Sequence, residues 1–89
     1  MKTDLLTNAG AGNGPDTVWT GGRSVFLAEA TFGAGSIKLQ IKLPQGNYAD
    51  VTNASLSANG LTGVLYLPPG TYRAVATTAT ACYASLMRV

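Results

Sequence analysis

Between Ser36 and Leu43 the chain alternates without interruption, with Ile37, Leu39, Ile41 and Leu43 set against Lys38, Gln40 and Lys42. A period of two places the aliphatics on one face of a strand and the lysines on the other. Arg23 to Phe32 predicts a second strand, with Phe26, Ala28, Ala30 and Phe32 on its core face. Its opposite face, Val25, Leu27, Glu29 and Thr31, is only partly polar. Gly33-Ala34-Gly35 is short enough to join these two strands as a hairpin. Tyr48–Val51, a fragment at Ala54–Leu56, Leu61–Leu67, Thr71–Thr78 and Cys82–Val89 complete the series. Pro44-Gln45-Gly46-Asn47, Ala58-Asn59-Gly60 and Pro68-Pro69-Gly70 supply the turns, because proline fixes φ and glycine accepts positive φ. No window shows the three-to-four spacing of an amphipathic helix. The expectation is an all-β domain, a small antiparallel β-sandwich or barrel of six to seven short strands.

Ahead of the strands, Asn8 to Asp16 has no hydrophobic period and is punctuated by glycine and proline. Such a stretch loses much backbone entropy on ordering. Residues 1–16 are therefore expected to form a flexible Gly-rich arm, and residues 17–89 a single β domain. A chain of 89 residues has no length for a second one.

Composition narrows the chemistry. There is no histidine to serve as a general base and a single cysteine, so zinc clusters and an internal disulfide are excluded. Cys82 lacks a partner to lower its pKa and reads as a small buried hydrophobe. Gly10-Ala11-Gly12-Asn13-Gly14-Pro15 begins like a dinucleotide fingerprint, but it precedes the first strand of the domain and carries proline where the third glycine belongs. The carboxylates Asp4, Asp16, Glu29 and Asp50 form no evident acid–base pair. No catalytic residue, cofactor site or metal site is expected, and so no enzyme. The net charge of +2 is too small for the basic stripe of a nucleic-acid binder. No apolar run is long enough to span a membrane, and the N-terminal residues lack the apolar core of a signal peptide. The expected compartment is the cytosol of the producing cell.

Only 11% of the residues are charged, which is sparse for the exterior of a monomer. Val25, Leu27, Val64, Tyr66 and Val75 fall on faces opposite the best core positions, and an exposed apolar patch usually marks association. Arg23, Arg73 and Arg88 are candidate hydrogen-bonding anchors of an interface, with Trp19 and Tyr66 as its aromatic anchors.

Several segments carry a family resemblance: Gly22-Arg23-Ser24-Val25-Phe26, Ala30-Thr31-Phe32-Gly33, Ile37-Lys38-Leu39-Gln40, Leu67-Pro68-Pro69-Gly70-Thr71-Tyr72-Arg73-Ala74 and Tyr83-Ala84-Ser85-Leu86. Across residues 17–89 the chain resembles the small head decoration (cement) proteins of tailed bacteriophages. That resemblance implies a β-sandwich-like subunit, often trimeric, which clamps neighbouring major capsid proteins on the virion exterior after synthesis in the host cytoplasm. It implies no catalytic residues. In that setting the arm and the arginines would carry capsid contact. Leu67 to Arg73 also resembles the strand-turn-strand of prealbumin-like spacer domains. A carbohydrate-binding module would use Trp19, Tyr48, Tyr66 and Tyr72 as stacking platforms. An oligonucleotide-binding barrel is a third alternative, disfavoured by the weak charge.

Overall fold

A strand with one apolar face needs a second layer to cover it, and two antiparallel sheets meet that need here. The computed structural model describes residues 2–89. In chain order the strands are β1 (Lys2–Ala9), β2 (Gly12–Asn13), β3 (Thr17–Trp19), β4 (Gly22–Thr31), β5 (Ser36–Lys42), β6 (Tyr48–Leu56), β7 (Gly60–Leu61), β8 (Leu65–Leu67), β9 (Gly70–Thr77) and β10 (Thr80–Arg88). Sheet A runs β1-β10-β4-β7, with β8 also paired to β4. Sheet B runs β2-β9-β5-β6, with β3 also paired to β9. No helix occurs among the described residues. The fold is an all-β sandwich.

Burial follows the period-two reading except at Leu43, which was expected on the core face but lies beyond the end of β5 and is 41% exposed. Sheet A turns Phe26, Ala28, Cys82, Ala84 and Leu86 inward, and sheet B turns Ile37, Leu39, Tyr72, Ala74 and Ala76 to meet them. Alanines opposite aromatics let the layers interdigitate, and each large side chain buried in this way contributes about 1.5–3 kcal/mol. Trp19 and Tyr72 each bring a polar atom into this core and each places it. The Trp19 indole N–H donates to Ser24 Oγ at 3.1 Å, and the Tyr72 hydroxyl donates to the Pro68 carbonyl at 2.6 Å.

The strand count exceeds the six to seven expected. Tyr48–Val51 and Ala54–Leu56 fuse into β6 through an irregularity, where the register jumps from Lys38↔Ser55 to Gln40↔Asp50. Leu61–Leu67 does the opposite and splits into β7 and β8. Between these two strands Thr62 takes over the ladder, its backbone N–H donating to Phe26 O at 3.0 Å while its hydroxyl accepts from Phe26 N at 3.2 Å. The rest of the excess comes from residues read as arm or loop.

That arm is the main correction. Met1 lies outside the described residues, but Lys2–Ala9 pairs with β10 along Thr3↔Leu86, Asp4↔Ser85 and Leu6↔Ala84. A bulge between Asp4 and Leu6 turns two consecutive leucines inward, leaving Leu5 1% and Leu6 5% exposed. Bulging breaks the alternation that would have marked a strand. Downstream, β2 and β3 pair with β9, and Gly14 N donates to Ala74 O at 2.8 Å. Residues 2–16 therefore belong to the sandwich.

The second correction concerns Gly33-Ala34-Gly35. It is no hairpin, because β4 and β5 lie in different sheets and the segment crosses between them. The other crossing nearby, Thr78-Ala79 between β9 and β10, lies directly against it. A Cβ on Gly35 would sit 2.1 Å from Thr77 O, so only glycine permits the two crossings to touch.

Leu5→Ala should lower unfolding free energy by about 2–5 kcal/mol, as for other buried leucines, measured by urea denaturation. Deleting residues 1–16 should abolish the cooperative transition instead of leaving an intact body.

Candidate interaction surfaces

The outward faces of the two sheets have opposite chemistry. On sheet B the odd residues of β9 and the even residues of β5 point to solvent, and their polar groups bind one another. Asp50 accepts from Gln40 Nε2 at 2.8 Å and pairs with Lys38 Nζ at 3.3 Å. Gln40 in turn accepts from Arg73 Nε at 2.9 Å, and the Arg73 guanidinium lies 3.5 Å from the centroid of the Tyr48 ring. The Tyr48 hydroxyl donates to Asp16 at 2.5 Å, and Lys42 Nζ pairs with the same carboxylate at 3.5 Å. The lysine-bearing face of β5, with Lys38, Gln40 and Lys42, is thus one side of this network.

That network shifts its carboxylates. The Tyr48 hydrogen bond, with Lys42 beside it, holds Asp16 below the ordinary carboxylate value, and the same bond pushes the Tyr48 phenol up. Hydrogen bonds from Gln40 and Lys38 hold Asp50 down likewise.

Sheet A presents apolar surface. Cross-strand partners place Val25 beside Met87, Leu27 beside Ser85 and Leu61, and Arg23 beside Tyr66, all on the outward side. Tyr66 is 79% exposed and Leu61 58%, with Val64, Tyr83, Met87 and Val89 also open to solvent. Val25 is buried, yet it stands apart from the core cluster between the sheets. Val75, expected in the same patch, lies instead on sheet B, opposite Lys38. At the far end of this face a concavity of about 410 Å³ is lined by Asp4, Thr7, Glu29, Tyr83 and Ser85, among others.

The five candidate anchors scatter. Tyr66 and Arg23 are exposed neighbours on sheet A, where an interface could use them. Arg73 belongs to the sheet B network. Arg88 Nη2 donates to Gly21 O at 2.6 Å and ties the corner between β3 and β4 to the end of β10. Trp19 is 1% exposed and cannot anchor a partner; its bond to Ser24 braces that same corner, and the Ser24 hydroxyl passes on to Gly22 O at 3.2 Å. With Trp19 and Tyr72 both buried, two of the four stacking platforms considered for a carbohydrate are unavailable. Leu61, Tyr83 and Met87 were not singled out as surface residues by the sequence, although the parity of Tyr83 and Met87 within Cys82–Val89 carried the signal.

Cys82 is buried, and burial pushes its thiol up, away from the thiolate a nucleophile requires. Among the described residues no cluster of three or more His, Cys, Asp or Glu could hold a metal ion. Among the described residues no helix is long and apolar enough to cross a membrane. No protein-family model, curated protein or solved structure matches the chain.

Carboxylates held down in the folded state stabilise it above their unfolded pKa, and that stability is lost as pH falls through the lower folded value. The urea midpoint should therefore decline as pH drops through and below 3.8, the ordinary carboxylate value for both groups. Asp16→Asn and Asp50→Asn should flatten that acid limb. Both groups are exposed, so added salt should shrink the effect.

Proposed function

We propose that this chain is a structural subunit that works by adhesion: a decoration protein that binds the exterior of a tailed-phage head and stabilises contacts between major capsid proteins. The observation that carries the adhesive reading is the outward face of sheet A, where half-buried Leu27 and exposed Leu61, Val64, Tyr66 and Met87 form an apolar strip around buried Val25. Leaving such a strip in water is costly, and covering it with protein recovers that cost. The sheet B face, its charges already matched, has less to gain from a partner. The capsid as partner is supported by the resemblance of Gly22–Phe26, Leu67–Ala74 and the other segments described above.

Mechanically the subunit does no chemistry. It would be made in the host cytoplasm and assembled onto the virion. Self-association multiplies weak contacts, because a second grip on the same particle acts at high effective concentration. Tyr66, rigid and amphipathic, is the natural hot spot, with Arg23 beside it as a polar anchor.

Purified protein added to empty heads should bind at a saturating number of copies per particle, counted after sedimentation, and should raise the particles' resistance to heat. Tyr66→Asp and Leu61→Asp should weaken uptake about tenfold or more. Heads that take up no protein would overturn the reading. Glycan-array binding lost in Tyr83→Ala would favour a carbohydrate module using the concavity beside that residue.

A further inference from the structure

The charges of β4 are arranged in a pattern that the adhesive reading alone does not require. Outward along β4 come Arg23, Val25, Leu27 and Glu29 in that order. Among the described residues neither Arg23 nor Glu29 has an ion-pair partner, whereas Lys38 and Lys42 are each paired with a carboxylate. Six residues of extended chain separate Arg23 from Glu29, roughly 20 Å, so they cannot satisfy each other within one molecule.

The order base, apolar, apolar, acid is complementary to its own reversal. We infer that the partner of this face is a second copy of the chain, related by a two-fold axis that lies in the interface and crosses β4 at Phe26, perpendicular to the strands. This rests on reading the face as an adhesive surface, and it names a second copy as what covers it, so that Tyr66 and Leu61 act in capsid uptake through self-association. Rotation about that axis stacks each strand over its own copy in the opposite direction. Arg23 then faces Glu29 of the other copy, twice over, and Val25 faces Leu27.

Neighbouring strands follow the same symmetry. Leu61 stands level with Leu27, and Val64 precedes Leu65, which pairs with Ser24. The rotation therefore brings Leu61 over Val64. On β10, Tyr83 is level with Glu29, while Val89 N donates to Arg23 O. Those two exposed apolar side chains also come to face each other. Stacked sheets cross at about −30° and stand about 10 Å apart, a gap that arginine and glutamate can bridge from opposite sides.

Charge selects this arrangement over its rivals. A two-fold axis parallel to the strands would set Arg23 against Arg23 and Glu29 against Glu29. A three-fold ring, the stoichiometry implied by the decoration-protein resemblance, applies this face to a different surface of the next copy and leaves the self-complementary order unused.

The test needs no capsid, so it stands or falls separately from the function proposed above. Sedimentation equilibrium of the full chain should show a monomer–dimer equilibrium. Arg23→Glu and Glu29→Arg, each alone, place like charges at both contacts and should weaken dimerisation about 100-fold or more. An equimolar mixture of the two single variants should regain association as a heterodimer, because each mixed contact is again opposite in sign. The double variant, R23E with E29R, should dimerise like the unaltered chain. Both positions are exposed, and near-ultraviolet circular dichroism from buried Trp19 verifies that each variant is folded. A monomeric or trimeric unaltered chain, single variants that associate as before, or a mixture that stays monomeric would each overturn the inference.

Discussion

A two-layer sandwich has four sheet faces, and the hydrophobic core covers only two of them. The remaining two must be made compatible with water, and a chain with 6 basic and 4 acidic residues has limited means to do so. Half of these ten charged residues are gathered into one network on sheet B. Lys38, Lys42, Arg73, Asp16 and Asp50 are gathered with Gln40 and Tyr48 on sheet B as two groups of hydrogen bonds and ion pairs, joined by the stack of Arg73 on the Tyr48 ring. Sheet A keeps Arg23 and Glu29 near the two ends of an apolar strip. This difference in how the charges are engaged, and not in their number, underlies the adhesive reading of the protein.

The core that holds the two sheets together is tuned by small residues. Ala28, Ala74, Ala76, Ala79 and Ala84 are all buried, and they make room for Trp19, Phe26 and Tyr72. Gly35 performs a related task outside the core, allowing two sheet-to-sheet crossings to lie in contact. Dense packing of this kind fixes the relative position of the layers and therefore keeps the outward face of sheet A a defined surface. Trp19, Ser24 and Arg88 add a polar lock at one corner, where three separate segments meet.

Several residues proved to have uses that their chemical type did not disclose. Tryptophan and arginine are enriched at interfaces, yet Trp19 lies in the core and Arg88 clamps a carbonyl within its own chain. Type alone reports what a side chain is able to do; neighbours decide what it does. The same holds for Arg73, which stacks on Tyr48 and donates to Gln40 within its own sheet.

How much of this was written in the residue order can be judged element by element. Alternation in Ser36–Leu43 and Thr71–Thr78 determined the all-β class and the inward faces of β5 and β9, and alternation in Arg23–Phe32 and Leu61–Leu67 the outward placement of Val25, Leu27 and Tyr66, since side-chain parity is a local property of extended backbone. Leu5 and Leu6 were obscured, because a bulge destroys parity and its cause lies in pairing with β10, some eighty residues away. Gly33-Ala34-Gly35 was equally ambiguous: a tight hairpin and a sheet crossing use the same residue types, and only the distant contact with Thr77 separates them. Tertiary structure alone decided which strands share a sheet, which charges meet, and hence which outward face was left apolar, because each of those outcomes depends on pairings between residues far apart in the chain.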